Sequence, residues 1–137
     1  MPDKPVGLTK NVGFQAGARR TFAIMHKTAW QIINSAAALK IWLGELDSLD
    51  NGEKYQLADG TTGEVRVFKA DSHLRLTWRP KSWAKASTIQ VRVITNGAKS
   101  VISFHQENLP NAEARKKRLA FFNIALEELE NLISSQS

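Results

Sequence analysis

The sequence predicts an α+β fold in which a curved antiparallel β-sheet of about six strands wraps around one long C-terminal helix. Three observations support this prediction. Apolar residues recur at helical spacing near the C-terminus, period-two alternation broken by turn residues fills the middle of the chain, and two short helical segments come before that alternation. A helix with a wide apolar stripe needs a partner surface, and the strands before it provide one.

The C-terminal helix is predicted from Asn111 to Ser134, because Asn111 is a favourable N-cap residue and follows Pro110. Four basic residues at positions 115–118 fall near its start, where they form either a solvated basic face or an anion-attracting patch beside the mouth of a pocket. Steps of three and four residues place an apolar stripe on one face of the helix: Leu119, Phe122, Leu126, Leu129 and Ile133, widened by Phe121, Ala125 and Leu132.

The segment before the alternation is predicted to hold one strand and two short helices. The strand lies between Phe14 and Ile24, and Gly17 marks a possible bulge in it. Thr28 is predicted to cap the first helix, and Ser35 to cap the second, which ends at Gly44. Residues 1–13 are predicted to be a loosely ordered lead-in, so the single domain is predicted to span residues 14–134.

The middle of the chain is predicted to be an antiparallel meander. Asn96-Gly97 is a strong signal for a two-residue hairpin turn, and as such it places Val93 opposite Ser100. The predicted strands are Glu53–Leu57, Gly63–Lys69, His73–Arg79, Thr88–Thr95 and Ala98–Asn108.

A second hairpin turn is predicted at Asp71-Ser72, which places Val67 opposite Leu76. In both hairpins apolar residues meet on one face, and a slip of one residue would destroy the pattern. Lys69 and Ser100 share the parity of this face but lie near strand ends, where they are predicted to reach solvent. The predicted inner face comprises Tyr55, Leu57, Val65, Val67, Leu76, Trp78, Ile89, Val91, Val93, Ile102 and Phe104, with Gln106 at the same parity.

Five short segments carry a resemblance to a known family through their order and spacing: Ala29-Trp30, Trp42-Leu43-Gly44, Gly63-Glu64-Val65, Leu74–Pro80 and Ser100–Pro110. Over about residues 14–133, the chain resembles proteins similar to the C-terminal domain of the activator of the heat-shock-protein-90 (HSP90) ATPase. That family lies within the START-like or SRPBCC superfamily, together with the birch-pollen allergen. The resemblance implies a helix-grip fold, often with a cavity between sheet and helix.

A cavity at that place would have a mainly aliphatic and aromatic wall, which suits an apolar or amphipathic ligand fixed by one or two hydrogen bonds. The alternative is that the same side chains fill the interior and leave no cavity. The predicted ligand contacts are the specificity groups Tyr55, Trp78 and Gln106 and the wall residues Leu76, Ile89, Val91, Ile102, Phe104, Phe122 and Leu126.

Composition and motifs argue against several other classes of function. The chain has no cysteine, and its three histidines lack metal-ligand spacing, so we predict no metal site and no cofactor. No nucleophile elbow, phosphate loop or carboxylate pair is visible, so no catalytic residue is predicted. The net charge of +6 is scattered rather than clustered, which argues against nucleic-acid binding. We see no membrane span and no signal peptide, and we expect a cytoplasmic protein.

Three hypotheses about function follow. The first is a non-catalytic binding module, monomeric or homodimeric, that holds a small hydrophobic or amphipathic molecule. The second is a protein-interaction module that contacts a chaperone or another protein through the basic face at 115–118. The third, favoured least, is an enzyme of the cyclase or hydrolase type that occurs in this superfamily.

Overall fold

A computed structural model describes residues 8–9 and 13–135 of the chain. Its antiparallel strands form one seven-stranded sheet in the order β1-β2-β7-β6-β5-β4-β3, which confirms the six predicted strands and adds a two-residue strand before them. The elements are β1 (Leu8–Thr9), β2 (Gly13–Phe22), α1 (His26–Ile33), α2 (Ala36–Trp42), β3 (Lys54–Gln56), β4 (Thr62–Lys69), β5 (His73–Trp78), β6 (Ser87–Asn96), β7 (Lys99–Leu109) and α3 (Ala112–Ser135).

Part of the predicted lead-in belongs to the sheet. Leu8 and Thr9 pair with the start of β2, where Gly13 has a positive φ of 64°. The rest of the lead-in, residues 1–7 and 10–12, lies outside the described residues. No register shift lies at Gly17, where a bulge was predicted. The pairing of β2 with β7 shifts instead between Phe14 and Ala16, where β7 carries the extra residue and Asn108 has a φ of 63°.

Two of the three predicted helix caps are confirmed. The Ser35 hydroxyl accepts a hydrogen bond from the Ala38 amide at 3.3 Å, and the Asn111 side chain accepts one from the Ala114 amide at 2.8 Å. The cap predicted at Thr28 is wrong, since Thr28 lies inside α1. The helix begins two residues earlier, at His26, and its N-cap has no side-chain hydrogen bond.

The β6–β7 hairpin has a different register from the predicted one. Val93 lies opposite Ile102 rather than Ser100, so the turn residues are Gly97 and Ala98. Gly97 has φ of 61° at the first turn position, which is typical of a type II′ turn rather than of the type I′ turn that an Asn-Gly pair favours. Because the error is two residues, every side chain keeps its predicted face.

The β4–β5 hairpin differs from the predicted one, and the difference changes which residues of β4 face the core. Its turn is a three-residue loop centred on Asp71, which has φ of 61°, and β4 has a bulge between Val65 and Val67. The bulge reverses the parity of the strand, so Val67 is 38% exposed instead of buried. Phe68 turns inward in its place and packs edge-on against Trp30, with 5.5 Å between ring centroids.

The core lies between the sheet and the three helices. At its centre Phe104 of β7 stacks on Phe122 of α3, with 5.2 Å between centroids, and Trp42 of α2 lies 5.7 Å from Phe104. Ser100 was predicted to reach solvent but is fully buried, because its hydroxyl donates a 2.7 Å hydrogen bond to the Ile24 carbonyl. None of the described helices is long and apolar enough to cross a membrane.

Candidate functional site

The structure places the ten predicted ligand contacts in one region, between the sheet and α3. Trp78 is half-buried at the edge of this region, and the other nine are buried. Most of them belong to the packed core around Phe104 and Phe122, and their assignment to ligand binding stays a prediction. The buried ones are Tyr55, Leu76, Ile89, Val91, Ile102, Phe104, Gln106, Phe122 and Leu126.

A chain of hydrogen bonds runs through this region from helix to sheet. Arg118 of α3 donates from Nε to Gln106 Oε1 at 2.7 Å, and Gln106 donates from Nε2 to Ser87 Oγ at 2.8 Å. The Ser87 hydroxyl donates in turn to the Trp78 carbonyl at 2.7 Å. We call these four residues the polar chain. Three adjacent strands, β7, β6 and β5, supply its sheet-side members, which is why residues distant in sequence meet here.

Three aromatic rings surround the arginine of the polar chain. The Cζ atom of Arg118 lies 4.0 Å from the Trp78 ring centroid, 4.3 Å from that of Phe121 and 4.8 Å from that of Phe122. The side chain is consequently buried, and the residue is only 9% exposed. Ring faces attract a cation but carry no net negative charge, so they leave the guanidinium charge uncompensated.

No carboxylate compensates that charge within the part of the chain that the structure describes. None of its ion pairs involves Arg118, and Arg118 Nη2 is a buried atom without a hydrogen-bond partner there. Burial lowers the pKa of Arg118 to about 10, and the nearby Tyr55 has a smaller effect in the opposite direction. The guanidinium therefore keeps its charge at neutral pH, where an unpaired buried charge is costly to the folded state.

A cleft of about 240 Å³ opens beside this arginine. Trp83 stands edge-on to Trp78 there, with 5.3 Å between ring centroids. Glu113 and Lys117 form an exposed pair at 3.4 Å. The cleft is lined by Trp78, Trp83, Pro110, Asn111, Glu113, Ala114, Lys117 and Arg118.

A second cleft, of about 580 Å³, is adjacent to the first. Both are lined by Trp83, Pro110 and Asn111, and the second extends over Lys85 and Leu109. Trp83 thus borders both spaces.

Another cleft, of about 540 Å³, lies far from the polar chain, between the end of β2 and the end of α3. Its acidic lining residue, Glu130, pairs with Arg20 at 2.7 Å. That charge is compensated, both side chains are substantially exposed, and the other charged lining residue, Lys99, is exposed as well, so the lining of this cleft holds no buried uncompensated charge.

The structure corrects the predicted basic face at 115–118. Only Lys116 and Lys117 are exposed there. Arg115 donates from Nε to the Gln15 carbonyl at 2.8 Å, and Arg118 is buried. The alternative prediction, an anion-attracting patch beside a pocket mouth, fits the position of Arg118.

Sequence analysis did not include Arg118, Ser87 or Trp83 among the predicted ligand contacts, although Arg118 belonged to the predicted basic patch. A signal existed for Arg118, since it precedes Phe122 by four residues and so shares the buried stripe of α3. Charge alone had placed it on the surface. Within residues 8–9 and 13–135, no group of three His, Asp or Glu side chains is arranged to hold a metal ion.

Solved structures of distant proteins share this fold. Protein MLL2253 from Mesorhizobium loti matches with a TM-score of 0.78 over 90% of this chain and 98% of its own, at 13% identity. PFC0360w, an HSP90 activator from Plasmodium falciparum, matches with a TM-score of 0.70 over 88% of this chain and 96% of its own, at 15% identity. The Aha1 dimer from Colwellia psychrerythraea gives 0.64, with 85% and 93% covered, at 13% identity.

This chain has the helix-grip fold of the Aha1-like proteins. The resemblance seen in the sequence is thereby confirmed at the level of the fold. No protein-family model matches the chain, and no curated protein matches it either. At such low sequence identities the shared fold does not establish the function, so the function has to be inferred from the residues of the site itself.

Proposed function

We propose that this chain is a non-catalytic binding module for a small amphipathic ligand, held where α3 meets the sheet. The observation that carries the proposal is the buried, uncompensated charge of Arg118 in the wall of a cleft bordered by Trp78 and Trp83. A polar group of the ligand would compensate the charge, and the indoles would cover its apolar part. Such a mixture of apolar walls and a few polar anchors is typical of small-molecule sites.

The proposal keeps part of the predicted ligand site and moves its centre. Trp78, Gln106 and Phe122 each contact Arg118 directly, so they belong to the proposed site. The remaining predicted contacts lie in the packed core next to the proposed site, where they hold β5, β6 and β7 against α3. The ligand would sit nearer the start of α3 than the sequence predicted.

The experiment that tests this proposal uses the four tryptophans as internal reporters. Each gives one indole N–H signal in a two-dimensional ¹H–¹⁵N spectrum, and Trp→Phe variants assign the four signals. On titration with 1-naphthoate, we expect the Trp78 and Trp83 signals to shift while those of the core residues Trp30 and Trp42 stay in place. Saturable shifts confined to the first two would support the site.

Two results would contradict the proposal. One is a titration in which no indole signal moves at millimolar 1-naphthoate, 1-naphthamide or 1-naphthyl phosphate. The other is a shift of Trp30 or Trp42 alone, which would place binding in another part of the molecule. Native mass spectrometry of freshly purified protein, before and after denaturation, would add the mass of any co-purified ligand.

A second candidate function is binding to a chaperone. It is favoured by the similarity to the Plasmodium falciparum HSP90 activator, which extends over nearly the whole of both chains. The exposed basic surface available for this role is reduced to Lys116 and Lys117. Charge reversal of these two lysines should weaken a salt-sensitive complex with HSP90 in a pull-down. A complex that persists unchanged would exclude this surface.

A further inference from the structure

We infer that Arg118 is a carboxylate-binding group, and that the carboxylate of a flat, apolar ligand supplies the counter-charge that the protein interior lacks. This inference rests on the proposed binding function and specifies its ligand. Its physical basis lies in two features of Arg118. The Gln106 hydrogen bond fixes the position of its Nε atom, and no described side chain compensates its positive charge.

Gln106 fixes the arginine without using the end that recognises carboxylates. The hydrogen bond to Gln106 comes from Nε, and no hydrogen bond to a described residue uses the terminal nitrogens of Arg118. Those nitrogens form the planar fork that binds a carboxylate through two parallel hydrogen bonds. An arginine oriented in advance loses less conformational freedom on binding, which favours affinity.

The hydrogen-bond partner of Arg118 is the neutral amide of Gln106. A glutamate has the same shape and would neutralise the charge of the arginine. Gln106 Nε2 donates to Ser87 Oγ, so the amide is oriented with its oxygen toward the arginine. A glutamate at this position would form a buried ion pair and satisfy Arg118 internally. The neutral side chain instead satisfies one N–H group and leaves the positive charge for a ligand.

The charge balance of the cleft fits a single carboxylate. Arg118 and Lys117 contribute two positive charges and Glu113 one negative charge, which leaves a net charge of +1 among the lining residues. A monoanion neutralises this charge. A phosphate dianion would leave an excess negative charge beside the aromatic rings, in surroundings of low polarity.

The apolar part of the ligand is indicated by the cleft walls and by its size. Trp78 and Trp83 offer flat surfaces, and about 240 Å³ is small for a ligand pocket. The body of the ligand is therefore compact and planar, or it extends over Trp83 into the adjacent cleft of about 580 Å³. 1-Naphthoate is a suitable probe, and 1-naphthamide is its neutral counterpart of the same shape.

The test measures 1-naphthoate and 1-naphthamide by isothermal titration calorimetry against the wild type, Gln106→Glu and Gln90→Glu, and 1-naphthyl phosphate against the wild type. Gln90 lies on β6 on the opposite face of the sheet, so its replacement adds the same charge away from the cleft. We expect the wild type and Gln90→Glu to bind 1-naphthoate about tenfold more tightly than 1-naphthamide, as one charge-assisted fork permits. In Gln106→Glu this preference should disappear. The 1-naphthamide affinity should stay within about twofold, because the side chain keeps its shape and the Ser87 hydroxyl can turn its proton from the Trp78 carbonyl to the new carboxylate.

The other outcomes separate the inference from the proposed function. Equal affinity of the wild type for the two probes, with shifts at Trp78 and Trp83, would overturn the inference and leave the binding module standing. Tighter binding of 1-naphthyl phosphate than of 1-naphthoate would overturn the carboxylate assignment. Absence of binding by all three probes would overturn both. If Gln106→Glu does not fold, the three wild-type measurements decide the matter alone.

Discussion

Trp78 contacts Arg118 through its ring and is linked to it a second time through its backbone. The Arg118 Cζ atom lies 4.0 Å from the Trp78 ring centroid, and the Trp78 carbonyl accepts the last hydrogen bond of the polar chain that begins at Arg118. The polar chain and the ring contact together form a closed loop of interactions that starts and ends at Arg118 and includes residues of α3, β7, β6 and β5. This closure locates one guanidinium with respect to four elements, which is the positional accuracy that a binding group needs.

The first prediction concerns the stability of the protein without ligand. Replacing Arg118 by Met and Gln106 by Leu together removes a buried charge and its neutral partner and leaves apolar side chains of similar volume. We expect the free energy of unfolding to stay equal or to rise by about 1–4 kcal/mol, measured by urea denaturation. Ligand binding should be lost in the same variant, because the guanidinium is gone. The two effects are expected together, since a site that holds an unpaired charge for a ligand costs stability when it is empty.

The single variant Arg118→Met serves as a contrast, because it leaves Gln106 Oε1 buried without its donor, at a cost of about 1–3 kcal/mol. Lys117→Met removes an exposed charge from the same turn and should change stability little. A double variant that is clearly less stable than the wild type would mean that the polar chain exists to hold the fold together.

Period-two alternation was sufficient to predict the strands and most of the buried face. It failed at Val67 because Val67 and Phe68 are both apolar, so the pattern could not show where the bulge reverses the parity of β4. It placed the β6–β7 turn one residue too early, which shifts the strand pairing by two residues, because Asn96-Gly97 favours a type I′ turn in isolation. The pairing of Val93 with Ile102 in the folded protein overrides that local preference.

The candidate site was less predictable, since its character depends on contacts between distant segments. The sequence pointed to Trp78, Gln106 and Phe122, which do surround the site. It could not show that Arg118 is buried among them, because the charge of an arginine argues for the surface even where its spacing from Phe122 places it on the apolar stripe. Burial of this arginine depends on partners 12 and more residues away in the chain, which only the fold brings together.

The second prediction tests how tightly the core is filled behind the site. Leu126 is 1% exposed, whereas Ile124 on the same helix is 57% exposed. Leu126→Ala should lower the free energy of unfolding by about 2–5 kcal/mol, since it removes buried methyl groups and leaves a cavity. Ile124→Ala is the matched control and should have a small effect in the same denaturation experiment. Equal effects of the two substitutions would contradict the described packing of α3.

The third prediction concerns Gly63, which lies in one of the segments that carry the resemblance described above. A Cβ atom at this position would collide with the Thr77 carbonyl oxygen and with the Tyr55 ring. We expect Gly63→Ala to destabilise the protein by about 1–3 kcal/mol or more, because backbone and ring must move apart. Gly17→Ala, also in a strand, introduces only ordinary contacts and is the control. Thermal unfolding of both variants, followed by circular dichroism, makes the comparison.

The fourth prediction concerns alkaline pH. Burial raises the pKa of Tyr55 above its ordinary value of 10.0, with the charge of Arg118 acting in the opposite direction. Tyr55 is the only tyrosine in the sequence, so the ultraviolet absorbance of its phenolate reports this group alone. In the native protein the absorbance should rise at a higher pH than in protein unfolded by urea.

The sign of the linked stability change follows from that shift. Above about pH 10 the unfolded chain loses the Tyr55 proton while the native protein retains it, so stabilisation present below pH 10 is lost as the pH rises. Arg118 acts oppositely, because burial lowers its pKa to about 10 and the cost of its charge falls over the same pH range. Arg118 is common to the wild type and Tyr55→Phe, so the difference between them isolates the tyrosine. The wild type should lose stability more steeply, by up to about 1.4 kcal/mol per pH unit, and parallel curves would mean that Tyr55 ionises as freely as in the unfolded chain.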